Sequence, residues 1–143
     1  MSVTSTATAS WSGTLEAGHG TTSLATSKAG EFAVNWKARS AGEASVTTPE
    51  ELLGAAHAAC YAMAMSHELA GRGLEATSID ASSAVTFEAG QGITRIALTV
   101  GATIPGISDD DFQALALAVK DGCPVSQALA GTTIEIESAT LRA

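Results

Sequence analysis

The sequence predicts an α+β fold with antiparallel strand pairing, from strand-like stretches, one long helix and a hairpin in that order. Period-two stretches bounded by glycine-containing turns indicate strands. The predicted strands cover residues 11–16, 21–26, 31–38, 77–88, 93–104 and 132–137. The predicted helices cover residues 48–71, 108–120 and 124–129. Because strands and helices do not alternate regularly, the order favours antiparallel pairing over a doubly wound parallel sheet.

The length of 143 residues predicts a single domain over 1–143, in which residues 1–8 form a frayed end. A chain of this size can bury a core without disulfides or a structural metal. The net charge of −8 argues against binding to nucleic acid or to anionic lipid, because no basic patch is available to contact phosphates.

The first twelve residues lack the basic start and the apolar stretch of a signal peptide, and no apolar run approaches the length of a membrane helix. A cytoplasmic location is therefore expected. Structural disulfides are rare in that compartment. Two cysteines 63 positions apart are then either inert buried thiols or a working pair.

The stretch 48–71 carries the clearest helix signals. Thr48 can cap the helix, Pro49 suits its first position, and Glu51 completes a capping box. Gly71 is a typical residue after which a helix ends. The middle of the helix is nearly all apolar, so we expect it to be buried on all sides in the centre of the fold.

Two cysteines are the main candidates for chemistry. Cys60 lies in the middle of the apolar helix, where it is either a small core residue or a nucleophile. Cys123 precedes Pro124 at a helix start, where free backbone N–H groups and the helix dipole favour a thiolate. The alternative for Cys123 is an ordinary N-cap.

Arg39 and Glu50 are the next candidates. Each is either a solvated surface charge or part of a site, in which the arginine favours a thiolate and the carboxylate orients the arginine. Glu50 precedes Cys60 by ten residues, so a straight helix separates them by roughly 15 Å along its axis. If Glu50 serves a Cys60 site, a second chain supplies it, and the site is shared across a homodimer.

His57, Cys60 and Cys123 also permit a zinc interpretation, but no fourth ligand stands at a suitable spacing. No metal or cofactor is therefore expected. Neither a phosphate-binding glycine loop nor a serine-hydrolase motif is present.

Two motifs resemble those of one known family. TPEELLGAAHAACYAMAM at 48–65 is similar to the first-cysteine helix of the OsmC/Ohr family, and GCPVSQAL at 122–129 is similar to its second-cysteine motif. The IPGI turn at 104–107 lies between them. The resemblance extends over residues 11–137 and is stronger to the OsmC branch than to the organic hydroperoxide resistance branch.

The resemblance implies antiparallel sheets wrapped around a central buried helix in an intertwined homodimer. It implies a peroxidase for organic hydroperoxides, with Cys60 as the attacking thiol and Cys123 as the resolving thiol. Glu50 matches the family's active-site glutamate, and Arg39 its arginine, although Lys37 is an alternative for the cation. A lipoyl-type dithiol is the implied reductant.

Other functions stay open. A thiol–disulfide exchanger is disfavoured because no CxxC motif is present. From another class, a small-molecule binding or redox-sensing module with a non-turnover Cys60 would consume no peroxide catalytically.

Overall fold

The computed structural model describes all residues 1–143, and the predicted α+β class is confirmed. Six strands form two three-stranded sheets, and four helices accompany them. In chain order the elements are β1 (Thr8–Ser12), β2 (His19–Ser23), β3 (Glu31–Val34), α1 (Trp36–Ala41), α2 (Pro49–Gly71), β4 (Ser78–Glu88), β5 (Gly92–Thr103), α3 (Asp109–Gly122), α4 (Pro124–Ala128) and β6 (Thr133–Arg142). None of the helices has the length and hydropathy needed to cross a membrane.

The chain divides into two compact units, residues 1–52 and 53–143. The first unit contains the antiparallel sheet β1–β2–β3, and the second contains the sheet β4–β5–β6. The single domain over 1–143 stays a prediction. In the first unit, the backbone N–H of Thr6 donates to the Thr26 hydroxyl at 2.7 Å, and β1 begins at Thr8. Ordered hydrogen bonding therefore starts within the stretch that the sequence predicts as frayed.

A short helix, α1, stands where the sequence predicts the end of a strand. Asn35 begins it with an extended backbone, and the Asn35 Oδ1 accepts the backbone N–H of Ala38 at 2.7 Å. Gly42 ends it with a φ of 77°, a conformation that glycine adopts without strain. The predicted strand over 31–38 is wrong in its second half, because a capping asparagine favours helix initiation. Arg39 therefore lies in the last turn of a helix rather than in a loop.

The helix α2 begins and ends where the sequence predicts. The Thr48 hydroxyl accepts the backbone N–H of Glu51 at 3.0 Å, and Pro49 is the first helical residue. The Glu51 carboxylate accepts the Thr47 hydroxyl at 2.5 Å. Only the Thr48 half of the predicted capping box therefore forms, since Glu51 bonds to a neighbouring side chain instead of the backbone.

The sheet of the second unit is mixed. β4 and β5 pair antiparallel over their whole lengths, as the sequence predicts for the hairpin. β6 pairs with β5 in parallel, with Arg95 opposite Thr133. This corrects the expectation of antiparallel pairing throughout. The helices α3 and α4 lie between β5 and β6 in the chain and form the crossover that a parallel pair requires.

One hydrophobic cluster joins α2, β5 and α3. Its largest fully buried side chains are Tyr61, Met65, Leu69, Leu98, Val100, Phe112, Leu115 and Val119. The Tyr61 hydroxyl donates to the backbone carbonyl of Ala116 at 2.9 Å, which satisfies its buried polar atom. Because these contacts fix the rotation of α2 about its axis, they also fix the direction in which Cys60 points.

The opposite face of α2 is exposed. Met63 keeps 73% of its surface exposed, and Ala55, Ala56 and Ala59 are exposed as well. These residues lie three or four positions apart along one stripe. The apolar run predicts a helix that is buried on all sides, but in the single chain one face of α2 is exposed. An apolar run does not specify what packs against each face, and the second unit covers one face of α2.

Gly54 marks a close approach between α2 and β4. A Cβ atom at this position would lie 2.7 Å from the backbone carbonyl oxygen of Ser83. We expect Gly54→Ala to lower the free energy of unfolding by about 1–3 kcal/mol, because backbone atoms must move apart. Gly71→Ala, in open space on the same helix, is the matched control and should leave stability equal or slightly higher. Urea unfolding followed by circular dichroism measures both, and equal values for the two variants would contradict the close approach.

Candidate active site

The two cysteines meet in the second unit. Cys60 lies in the middle of α2, and Cys123 is the residue that precedes α4. The two thiols are free and lie close enough for each to shift the pKa of the other. Cys60 is partly exposed, whereas Cys123 is fully buried. The structure thus brings together two candidates that stand 63 positions apart in the sequence.

The environment of Cys123 favours its thiolate. Burial alone raises the pKa of Cys123, but hydrogen bonds to its sulfur outweigh burial, so the net pKa lies below its ordinary value. The groups that lower it are the backbone N–H of Ser126, the Cys60 thiol, the Ser126 hydroxyl and the backbone N–H of Val125. Two of these are backbone groups in the first turn of α4, as expected for a cysteine at a helix start.

The environment of Cys60 favours its protonated form. Burial raises the pKa of Cys60 and outweighs the hydrogen bond from the backbone N–H of Val125, which lowers it. The neighbouring Cys123 raises the pKa of Cys60 further. Of the two thiols, Cys123 is therefore the one whose surroundings favour the thiolate. A thiolate at Cys60 requires an additional positive charge nearby.

Cys60 opens onto a pocket of about 560 Å³ formed by α2 and the segment that joins α3 to α4. Its walls are mainly apolar, and they include Ala59, Met63, Val119 and Pro124. Besides Cys60, its titratable lining residues are His67 and Glu68. A ligand with an apolar body can therefore approach Cys60, while Cys123 stays behind it without solvent access.

Arg39 and Glu50 form an ion pair in the first unit. The Arg39 Nη2 and Nε atoms donate to Glu50 Oε1 at 2.7 and 3.0 Å. The Glu50 side chain is only 7% exposed, against 32% for Arg39. A carboxylate that is buried and bonded to the guanidinium holds Arg39 in one orientation. Both residues are thus paired charges, not the separate solvated charges that were the alternative.

Lys37, the alternative cation, lies elsewhere on α1. Its Nζ contacts the Glu43 carboxylate at 3.2 Å, and its side chain is 69% exposed. Because Arg39 bonds to Glu50 and Lys37 does not, the geometry favours Arg39 as the cation that works with Glu50.

His57 is a residue whose contacts the sequence did not reveal. It is fully buried, and its Nε2 lies 2.7 Å from the Ser126 Oγ. No group of three or more His, Cys, Asp or Glu side chains is arranged to hold a metal ion. The signal that could have found Ser126 is its place three residues after Cys123, in the first turn of α4.

The comparisons with known proteins agree on one family. The family model described as OsmC-like protein matches residues 42–138. The Peroxiredoxin OsmC of Escherichia coli (strain K12) is 41% identical over 124 residues, which cover 85% of this chain and 86% of that protein. The residues matched by the family model include Glu50, Cys60 and Cys123 and begin after Arg39.

Solved structures are similar over nearly the whole chain. The organic hydroperoxide resistance protein OhrB of Bacillus subtilis is 26% identical, with a TM-score of 0.61 over 93% of this chain and 97% of that one. An organic hydroperoxide resistance protein OsmC from Legionella pneumophila shares the fold at 24% identity, with a TM-score of 0.68 over 95% and 97% of the two chains. From the family model, the 41% identical relative and the shared fold, this chain belongs to the OsmC-like protein family.

Proposed function

We propose that this protein is a thiol-dependent peroxidase that reduces organic hydroperoxides to alcohols. The observation that carries the proposal is the placement of a pocket-facing Cys60 beside a fully buried Cys123. The names of its relatives, a peroxiredoxin and organic hydroperoxide resistance proteins, support the same chemistry.

The solvent access of the two cysteines supports a different role for each. Cys60 lines the pocket, so a hydroperoxide reaches its sulfur without movement of the fold. Cys123 is fully buried and contacts Cys60, so it can meet only a product that has formed on Cys60. Cys60 is therefore the attacking thiol and Cys123 the resolving thiol.

The reaction then has three steps. The Cys60 thiolate attacks the terminal peroxide oxygen, the O–O bond breaks, and the alkoxide takes a proton and leaves as an alcohol. Cys123 attacks the resulting Cys60 sulfenic acid, which forms the Cys60–Cys123 disulfide and releases water. An external dithiol reduces the disulfide by thiol exchange and leaves as its own disulfide. We propose a lipoyl-type dithiol for this role, in the cytoplasm, where free thiols persist.

Activation of Cys60 requires a cation, because burial raises the pKa of its thiol. Arg39, held by Glu50, is the proposed cation. Glu50 lies ten residues before Cys60, about 15 Å along a helix axis, so we propose that a second copy of the chain brings its Arg39–Glu50 pair to each Cys60. The exposed apolar stripe of α2 supports a homodimer, since such a face is normally covered.

One observation also favours a second function. Cys60 lines a mainly apolar pocket and burial raises the pKa of its thiol, so it also fits a small-molecule binding or redox-sensing module that does not turn over. Such a module reacts with at most one equivalent of peroxide, whereas an enzyme continues as long as dithiol remains.

The deciding experiment compares the consumption of cumene hydroperoxide and of hydrogen peroxide in the presence of excess dihydrolipoamide. We expect many turnovers per chain and a preference for the organic peroxide of about tenfold or more, because its apolar group is buried in the pocket at roughly 25 cal/mol per Å². Consumption that stops at one equivalent would support the sensor, and no consumption would support the binding module.

A further inference from the structure

A buried polar contact joins the Cys60 helix to the segment of Cys123. His57 on α2 is fully buried, Ser126 on α4 is 6% exposed, and the His57 Nε2 lies 2.7 Å from the Ser126 Oγ. The other ring nitrogen of His57, Nδ1, has no hydrogen-bond partner. None of the three steps above uses His57, although it lies one helical turn before Cys60.

The unpartnered Nδ1 determines where the His57 ring carries its proton. Burial lowers the pKa of His57, so the ring is neutral and only one nitrogen is protonated. A proton on Nδ1 would be a buried donor without an acceptor, which is unfavourable. Buried N–H groups without a partner are rarer than unused acceptors. The proton therefore belongs on Nε2, in the bond with Ser126.

This tautomer determines where the Ser126 hydroxyl donates its proton. Its oxygen accepts from His57 Nε2, so its own proton points to another acceptor. Ser126 stands three residues after Cys123 in the first turn of α4, and its hydroxyl lowers the pKa of Cys123, so we assign the Cys123 sulfur as that acceptor. The contacts then form one directed chain, from His57 through Ser126 to Cys123.

The ionisable groups near Cys123 do not replace Ser126 as the hydrogen-bond donor to its sulfur. Tyr61 faces it, but burial raises the pKa of Tyr61 and its hydroxyl donates to the carbonyl of Ala116. The Cys60 thiol also lowers the pKa of Cys123. Oxidation converts that thiol to a sulfenic acid, so Ser126 is the neighbouring side chain that stays the same during the resolving step.

We propose that His57 and Ser126 are positioning residues of the resolving step: His57 holds the Ser126 hydroxyl so that it stabilises and aims the Cys123 thiolate. This rests on the proposed two-cysteine reaction. The thiolate attacks the sulfur of the Cys60 sulfenic acid, the S–S bond forms as the S–O bond breaks, and the departing hydroxide takes a proton from solvent to become water.

The test is a titration of the Cys123 thiolate by its ultraviolet absorbance in Cys60→Ser protein. Adding Ser126→Ala should raise the apparent pKa of Cys123 by about one unit, since a hydrogen bond to a charged group contributes roughly 1.5 kcal/mol or more. His57→Leu should raise it by less, and His57→Gln should restore the original value, because the glutamine Nε2 can replace the donor. Ser66→Ala, an exposed serine on α2, is the matched control and should change nothing.

A second measurement uses protein with both cysteines. After one equivalent of cumene hydroperoxide, Ser126→Ala should slow disulfide formation by about tenfold, the factor that corresponds to one pKa unit, and leave the oxidation of Cys60 unchanged. Folded Ser126→Ala protein with an unchanged Cys123 titration would overturn the inference, as would His57→Gln behaving like His57→Leu. The titration needs no peroxidase activity, so loss of the proposed function and loss of this inference are distinguishable. If His57→Leu does not fold, Ser126→Ala and His57→Gln decide.

Discussion

Cys60→Ser should reduce peroxide turnover to the uncatalysed background, a loss of about 10³-fold or more, as when other enzymes lose their nucleophile. The serine hydroxyl keeps the size of the side chain but cannot form an anion near neutral pH, so nothing attacks the peroxide oxygen. The measurement is the rate of cumene hydroperoxide consumption with excess dithiol. Turnover equal to that of the unmodified protein would contradict the peroxidase proposal.

Cys123→Ser is the matched variant, because it removes the other thiol of the same pair. It should still consume the first equivalent of hydroperoxide, since Cys60 and its pocket are unchanged. Its sulfenic acid then has no resolving thiol, so it should react with dimedone and advance to the sulfinic acid with excess peroxide. If Cys123→Ser protein does not consume the first equivalent of hydroperoxide and Cys60→Ser protein does, the two roles are the reverse of those proposed.

Two inactive variants should restore activity to each other if the site is shared between chains. Arg39→Gln removes the cation while its amide can still donate to the buried Glu50 carboxylate, which limits the loss of stability. A mixed dimer of Arg39→Gln and Cys60→Ser chains contains one site with both Arg39 and Cys60 intact. After random reassociation of equal amounts, about a quarter of the original activity is expected, because half of the dimers are mixed and each has one complete site.

The reassociated sample is compared with each variant refolded alone, which should stay inactive. A double variant, Arg39→Gln with Cys60→Ser, mixed with the unmodified chain is a further control. In that mixture each mixed dimer has no complete site, so activity should also fall to about a quarter. If the site lies within one chain, the mixture of single variants stays inactive and the control mixture keeps about half of the activity.

The elements with strong local signals could be predicted from the sequence. Thr48 and Pro49 mark the start of α2, and the alternation of β4 and β5 predicts their pairing. These signals work because capping and strand alternation depend on neighbouring residues alone. The site cysteines could also be named from sequence, since their motifs resemble those of a known family.

Features that depend on distant contacts could not be predicted. The parallel pairing of β6 depends on how α3 and α4 cross the sheet, which no local pattern encodes. The exposure of one face of α2 depends on which elements pack against it. An apolar side chain such as Met63 is compatible with a covered face or an exposed one, so the sequence alone does not distinguish them. The bond between His57 and Ser126 joins residues 69 positions apart, so only the fold reveals it.

The contact between Cys60 and Cys123 also links the protein's stability to its redox state. The segment between them contains β4, β5 and α3, so a bond between the two sulfurs would close most of the second unit into a loop. In the chain-entropy model, a cross-link over a loop of this length raises the free energy of the unfolded chain by about 4 kcal/mol, because it lowers the conformational entropy of that chain. The spent, oxidised protein would then resist heat better than the active one. The melting temperature would then report the fraction of the protein that has been oxidised by peroxide and has not yet been reduced.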